Sequence, residues 1–205
     1  MFYEPKDGHG LPHNPFNALI TPRPIAWVAS RDADGVDNLA PFSFFNGAAY
    51  EPPIASVAFT GAKLGAEKGG RKDSLANIEA SGVFSINLVP TSLTDAMNAS
   101  AAHLPAGVSE FEAAGVTPVA CSEIPCARVA ESPATLECQL IEVVNLPNDG
   151  PGRNATVFGR VVGVHIADGI LKNGFVDPTS FHPLARMGYL DYTSITEVFT
   201  LKRPD

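Results

Sequence analysis

The chain has 205 residues, of which 45% are apolar, and its formal net charge at pH 7 is −8 with a pI near 5.0. This length and apolar content suffice for a buried core, so we predict one domain over residues 1–205. An acidic surface repels phosphate backbones, which argues against a nucleic-acid partner. No apolar run reaches the roughly 18 residues of a membrane helix and no leader is visible, so we expect a cytoplasmic protein without a membrane partner.

Cysteine and histidine spacing gives no sign of a disulfide framework or a metal site. His9 and His13 are four residues apart, but Gly10 and Pro12 disfavour the helix that would place them on one face. The cysteines are odd in number and lack CxxC spacing, which favours small core residues in a reducing compartment. They are Cys121, Cys126 and Cys138.

The first half of the chain reads as short strands separated by turns, with one helix. The eighteen glycines and eighteen prolines favour turns over long helices. Apolar alternation and turn signals predict these elements in chain order: a strand over 25–31, a turn over 32–35, a strand over 54–60, a helix from 73 or 74 to 80 stopped by Gly82, and a strand over 83–89.

The second half contains the strongest strand signals. Two long runs over 134–146 and 155–167 are rich in β-branched residues and are joined by a Pro- and Gly-rich turn. Before them we predict a helix over 92–103 and a helical turn over 110–115, and after them a last strand over 197–201. The pattern indicates a mainly β, Greek-key barrel with two or three attached helices.

Two glycine-rich stretches imitate nucleotide-binding motifs without their context. Residues 150–155 match GxGxxA, but they join two strands, whereas the dinucleotide motif joins a strand to a helix. Residues 65–72 resemble a phosphate-binding loop only loosely, because Lys72 is followed by Asp73 where that motif has Ser or Thr. No serine lies in a GxSxG turn, so the sequence does not indicate a serine hydrolase either.

A basic, glycine-rich stretch over residues 61–74 ends where a helix is predicted to begin. A solvated surface loop is one interpretation. The alternative is an anion site, because free amides at a helix start, a hydroxyl and two cations suit a phosphate monoester. The residues that would form it are Arg71, Lys72, Asp73 and Ser74.

The segment NLAPFSFFN, residues 38–46, places aromatic residues beside hydrogen-bonding and small ones. Packing at a barrel rim and turn capping would explain it without a ligand. A flavin ring would also explain it, since that ring needs an apolar slot, hydrogen bonds at one edge and close backbone approach. The candidates are Trp27, Phe42, Phe44 and Phe45 for the slot, Ser30, Asn38, Ser43 and Asn46 for hydrogen bonds, and Ala29, Ala40 and Gly47 for close approach.

Three sequence blocks, residues 21–53, 71–88 and 181–192, together resemble the flavin reductase-like, FMN-binding split-barrel family. The most similar branch contains flavoredoxins and the reductase components of two-component flavin monooxygenases. The resemblance implies a six-stranded antiparallel Greek-key split barrel with a few helices. It also implies a homodimer that holds FMN near the subunit interface and uses NADH or NADPH as electron donor.

The resemblance also implies roles for individual residues. His182 is the candidate catalytic residue, and Arg186 in the same block would help to close the site. Here Met187, Gly188 and Tyr189 follow that arginine, where the family commonly has a double glycine. The cofactor-binding residues implied are Trp27, Ala29, Ser30, Asn38, Ala40, Pro41, Ser43, Phe44, Phe45, Asn46, Arg71, Lys72, Asp73, Ser74 and Arg186.

Three functions remain open from the sequence. The first is a flavin reductase that transfers hydride from NAD(P)H to FMN, with reduced flavin passed to a partner oxygenase or another acceptor. The second is a flavoredoxin-like electron-transfer protein that is reduced by a protein partner. The third is a structural barrel that has lost its ligand. The lack of a recognisable nucleophile or triad agrees with the first two, because the cofactor supplies the chemistry.

Overall fold

The computed structural model describes residues 1–61, 72–102, 104, 108–150 and 152–204. Its helices are short: α1 (Phe16–Leu19), α2 (Asp73–Ser81), α3 (Thr94–Ala99) and α4 (Glu110–Ala114). None of these helices is long and apolar enough to cross a bilayer. The strands are β1 (Arg23–Pro24), β2 (Ala26–Arg31), β3 (Asp37–Phe42), β4 (Phe45–Ala49), β5 (Ile54–Phe59), β6 (Val83–Asn87), β7 (Pro118–Ala120), β8 (Ala127–Val129), β9 (Ala134–Leu146), β10 (Asn154–Ile166), β11 (Leu171–Lys172), β12 (Phe175–Val176), β13 (Leu184–Arg186) and β14 (Tyr192–Ser194).

An antiparallel sheet of seven strands curls into a half-barrel, in the order β3-β2-β6-β9-β10-β5-β4. The mainly β split-barrel prediction is confirmed, with seven strands in place of six. The sequence missed two strands of this sheet, β3 and β4, which form its two edges and cover residues we had considered only as ligand contacts. A small sheet, β1-β13-β14, lies beside this barrel and carries the C-terminal block.

Most predicted elements form within a residue or two of their expected limits. Strand β9 spans the predicted range, and α2 ends at Gly82, which has a left-handed φ of 73° and donates to the Ile78 carbonyl. The helix predicted over 92–103 is shorter, because a 3-10 turn occupies 91–93 before α3. The strand predicted over 197–201 is wrong. Residues 195–204 have no regular structure, since their apolar side chains are solvent-exposed and gain no packing against the sheet.

Long hairpin β9–β10 bends through two register shifts, one of which lies at Gly159. A β-carbon there would lie 2.5 Å from Cζ of Phe84, so only glycine allows this close approach without a shift of the ring. Register shifts increase the local twist of a strand, and the sheet here curls instead of lying flat.

Strand β2 is buried on both faces and connects two hydrophobic clusters. Trp27 and Ala29 face the cluster covered by α3 and α4, while Val28 faces the cluster covered by α2. The Trp27 indole N–H donates to the Ser100 hydroxyl at 2.8 Å, which satisfies its polar atom in the core. The free cysteines belong to these cores or pack against them, and burial raises the pKa of Cys121 and Cys138 to about 12 and of Cys126 to about 11.

A buried carboxylate fastens the loop between β7 and β8 to the long hairpin. Glu137 is fully buried and accepts hydrogen bonds from the amides of Ser122 and Glu123, both at 2.7 Å, and it also pairs with His165. Burial alone would raise the pKa of this carboxyl group, but the Ser122 amide, His165 and the Glu123 amide lower it to below its ordinary value. The ionised form is therefore the one that stabilises the fold at neutral pH.

Replacing Glu137 by Gln is expected to lower the free energy of unfolding by about 1–3 kcal/mol, because one amide donor then faces an NH₂ group. Urea denaturation at pH 7 measures this loss. The control is Glu142→Gln on the exposed face of the same strand. The difference from wild type should shrink as the pH falls through the lowered pKa of Glu137, where the carboxylate is protonated in both states. An equal effect of both substitutions would contradict the assignment.

Candidate functional site

Two adjoining cavities lie against β3 and the start of α2, with volumes of about 590 and 240 Å³. Pro41, Phe42, Lys72 and Ala101 line both of them. Many predicted site residues meet here. Those lining the larger cavity are Pro41, Ser43, Phe44, Lys72 and Arg186. Those lining the smaller cavity are Asn38, Ala40, Pro41, Lys72, Asp73 and Ser74.

A directed hydrogen-bond network orients Asn38 in the smaller cavity. The Asn77 amide donates to the Ser30 hydroxyl at 3.2 Å, and that hydroxyl donates to Oδ1 of Asn38 at 3.4 Å. The Ser74 hydroxyl donates to the same Oδ1 at 2.7 Å. Because Oδ1 accepts twice, the Nδ2 amide of Asn38 is left as the donor that this side chain offers to the cavity.

The start of α2 adds positive charge to the same place. Lys72 is the residue preceding the first helical turn, with extended backbone angles, and it lines both cavities. The side chain of Lys72 itself makes no cap hydrogen bond, and the first amides of a helix have no partner within the helix. Asp73 and Ser74 follow it, while Arg71 lies outside the described residues. Lys72, the amides and Nδ2 of Asn38 form a donor set that suits an anion.

The larger cavity combines apolar walls with a few polar groups. Its apolar walls are Ile25, Phe42, Phe44, Ala58 and Met97, and its polar groups include Ser43 and Thr60. The Phe42 ring is held by Phe59, with ring centroids 4.5 Å apart at an angle of 58°. Such a cavity accepts a flat, largely apolar ring that carries hydrogen-bonding atoms at its edge.

Arg23 holds one wall of the larger cavity in place. It is 93% buried, and its guanidinium donates to the carbonyls of Asn17 and Ile20, both at 2.5 Å, and of Met187 at 2.8 Å. These carbonyls come from the N-terminal segment and from the C-terminal block, 164 residues from Arg23. Burial lowers the pKa of Arg23, and the nearby charge of Arg186 lowers it further.

The C-terminal block forms the opposite part of this wall. Arg186 lies opposite Arg23 in the antiparallel register of strands β13 and β1. Its guanidinium donates to the Tyr189 carbonyl and lies 4.4 Å from the ring centroid of Tyr192. Gly188 lies so close to α1 that a β-carbon would be 2.7 Å from Cα of Ala18. This contact explains why glycine is required at 188.

Seven predicted contacts lie away from both cavities. Trp27 and Ala29 are fully buried in the core, and the Ser30 hydroxyl donates to Asn38. Phe45, Asn46 and Gly47 belong to edge strand β4. His182 is exposed, with its carbonyl bound by Thr91, and it does not line either cavity.

The sequence analysis missed many lining residues of both cavities. Four of them belong to the N-terminal segment or anchor it, namely His13, Asn14, Asn17 and Arg23. The segment PHNPFN, residues 12–17, gave no signal, because its prolines and asparagines have no periodicity. Its contribution depends on Arg23, a single residue whose backbone partners could not be known from spacing. The other missed residues are Ile25, Ala58, Thr60, Met97, Ala101, Tyr189 and Tyr192 in the larger cavity and Ser100, Ala101, Ala102, Leu104 and Glu110 in the smaller one.

Residues 18–185 match the family model described as flavin reductase like domain. The chain belongs to this family. An uncharacterized protein of Halalkalibacterium halodurans is 35% identical over 90% of this chain and 87% of its own length. The crystal structure of nitrilotriacetate monooxygenase component B from Bacillus cereus is 33% identical, with a TM-score of 0.83 over 91% of this chain and 90% of that chain.

A flavoredoxin of Desulfovibrio vulgaris shares the fold at lower identity. It is 18% identical, with a TM-score of 0.74 over 88% of this chain and 90% of that chain. The chain therefore shares its fold with both a monooxygenase component and a flavoredoxin.

Replacing Arg23 by Met keeps the length of the side chain but leaves the three carbonyls without their donor. We expect a loss of about 2–3 kcal/mol in unfolding free energy, since hydrogen bonds to a charged group are involved. Hydrogen exchange at residues 16–21 should also accelerate, because this segment loses its anchor. Arg160→Met, at an exposed position on β10, is the control. Unchanged exchange at 16–21 in Arg23→Met would contradict the anchoring role.

Proposed function

We propose that this protein binds FMN across the two adjoining cavities and acts as an NAD(P)H:flavin oxidoreductase. The observation that carries the proposal is the continuity of an aromatic-lined cleft with an anion site at Lys72. FMN has this same division, with a flat ring at one end and a phosphate at the other. Membership of the flavin reductase-like family supports the choice of flavin over other flat anions.

The phosphate end is assigned to the smaller cavity. Lys72 supplies charge, the first amides of α2 supply donors, and Asn38 supplies its Nδ2 amide. Ser74 donates to Asn38, so it contributes by orienting that side chain. Asp73 lines the rim, and Arg71 is proposed as a further cation from the resemblance alone.

The ring end is assigned to the larger cavity. Ala40 and Pro41 on β3 allow close backbone approach beside the phosphate end, and Ser43 and Phe44, in the bend after β3, border the cleft. Trp27, Ala29 and Ser30 lie on the neighbouring strand β2, which pairs with β3, and the Ser30 hydroxyl also donates to Asn38. Phe45 and Asn46 are proposed to act through β4, by holding β5 and its cavity-lining Ala58 in register.

Bound FMN supplies the hydride-accepting chemistry. The chain positions two flat molecules against each other, excludes water through its apolar walls, and fixes the phosphate by charge. No side-chain nucleophile or proton carrier is required for these tasks. His182 is exposed and away from the cavities, so we propose no catalytic role for it in this arrangement.

We also propose an electron acceptor, a location and an oligomeric state for this protein. The Bacillus cereus relative is a monooxygenase component, so we propose that reduced flavin passes to a partner oxygenase or another acceptor in the cytoplasm. A second candidate is electron transfer from a protein donor, which the fold shared with a flavoredoxin supports. We also propose a homodimer, because Phe16, Leu190 and Phe199 expose 56%, 86% and 84% of their surface.

Anaerobic addition of NADH and NADPH to the FMN-loaded protein separates these candidates. The reductase proposal predicts that at least one nucleotide bleaches the visible flavin band at a rate well above that of free FMN. Bleaching by a reduced protein donor alone would replace the reductase by the electron-transfer protein. Dithionite serves as the control that the bound flavin can be reduced.

Lys72→Ala is expected to weaken FMN binding by about tenfold or more, because it removes a charge-assisted contact to the phosphate. Fluorescence titration of the flavin measures the dissociation constant. Lys202→Ala removes the same charge from an exposed terminal position and is the control. Equal affinities for FMN in the two variants would remove the phosphate assignment.

Sedimentation equilibrium tests the homodimer. The proposal predicts a mass close to twice the 21.6 kDa of one chain at micromolar concentration. A monomer that nevertheless binds FMN would leave the site intact and overturn only the dimer.

A further inference from the structure

Two adjacent arginines line the larger cavity. Arg23 and Arg186 lie directly opposite each other in the register of β1 and β13. Within the described residues, neither forms a salt bridge with a carboxylate, although the chain as a whole has a charge of −8. Burial lowers the pKa of Arg23, and repulsion by Arg186 lowers it further. An anion bound at this place would offset that repulsion.

The two arginines differ in what they can offer to a ligand. Arg23 uses its guanidinium on three backbone carbonyls and on the Ser43 hydroxyl at 3.5 Å, so it is a structural cation. Arg186 makes one hydrogen bond among the described residues, to the Tyr189 carbonyl. The other donors of its planar fork are left for a carboxylate or phosphate.

The rings of His13, Tyr189 and Tyr192 line the same cavity as Arg186. The Tyr192 ring lies beneath the Arg186 guanidinium, and the rings of His13 and Tyr189 form a second pair with centroids 5.6 Å apart. Tyr189 is 49% exposed and Tyr192 is 37% exposed, so both can contact a ligand. An arginine fork next to exposed rings recognises an anionic group attached to a flat ring.

This cluster is distinct from the phosphate site proposed above. Lys72 lines both cavities, whereas Arg186, Tyr189 and Tyr192 line only the larger one. We propose that Arg186, with His13, Tyr189 and Tyr192, forms a subsite for a second ligand that carries a carboxylate or phosphate beside a flat ring. The inference rests on the proposed function, in which the flavin occupies the inner part of the same cleft.

Two ligands share this chemistry. One is the nicotinamide nucleotide, whose phosphates lie beside flat rings, and the other is an aromatic carboxylate. Arg186 would position either ligand next to the flavin without taking part in the hydride transfer. It is therefore a substrate-binding residue of the outer subsite, and we assign it to this ligand instead of to FMN.

Calorimetric titration of the protein with NADP⁺ and, separately, with sodium benzoate tests the subsite, with and without FMN. Arg186→Gln is expected to weaken binding at least tenfold for the probe that uses the subsite. Arg186→Lys should recover part of the affinity, because it keeps the charge and loses the fork. Arg160→Gln removes an exposed charge elsewhere and should change neither affinity.

The outcomes show which of the two ligands binds, and they test the subsite separately from the flavin site. An effect on NADP⁺ alone identifies the electron donor as the ligand, and an effect on benzoate alone identifies an aromatic carboxylate. If neither probe binds in a manner that depends on Arg186, the subsite is overturned, even where FMN binds normally. If FMN does not bind but a probe still depends on Arg186, the flavin proposal fails and the subsite stands.

A second variant guards against a local loss of structure in Arg186→Gln. Tyr192→Leu removes the ring below the guanidinium and keeps the charge, and it is expected to weaken binding of the same probe several-fold. FMN affinity close to wild type in both variants would show that the inner site is intact. Wild-type affinity for both probes in Tyr192→Leu and Arg186→Gln would contradict the proposal.

Discussion

A buried guanidinium holds the candidate site together. Arg23 lies at the start of the chain's first strand and binds backbone carbonyls from the N-terminal segment and from the C-terminal block. A buried arginine is costly unless its donors are used, and here three carbonyls and a hydroxyl use them. The cavity wall therefore consists of two chain ends that have little secondary structure of their own. Without this one side chain, the sheet would still form, but the larger cavity would lose that wall.

Behind the other wall of the site, a series of hydrogen bonds orients the polar side chains. Asn77 fixes Ser30, and Ser30 and Ser74 together fix the amide of Asn38. This order places a donor beside Lys72 at the start of α2. The end of β3 and the bend after it supply the apolar rings of Phe42 and Phe44. A cleft with rings at one end and donors at the other thus results from one strand and one helix start.

The sequence predicted the strands and α2 well because their patterns are local. Alternation defines β2, β5 and β9, and Gly82 marks the end of α2. It also grouped Lys72, Asp73 and Ser74, which are adjacent in the chain and line the smaller cavity. Long-range contacts were beyond it. Trp27 looked like a ring contact but packs in the core against Ser100. Strands β3 and β4 were missed because Pro41 and Gly47 weaken their strand patterns.

The central claim is that one cavity binds the ring of FMN and the adjoining one binds its phosphate. The most direct test is a parallel fluorescence titration of the protein with FMN and with riboflavin, which has the same ring and lacks the phosphate. The account predicts that FMN binds about tenfold or more tightly, because Lys72 and the amides of α2 have no anion to bind in riboflavin. Equal affinities for the two flavins, or binding of neither, would contradict it.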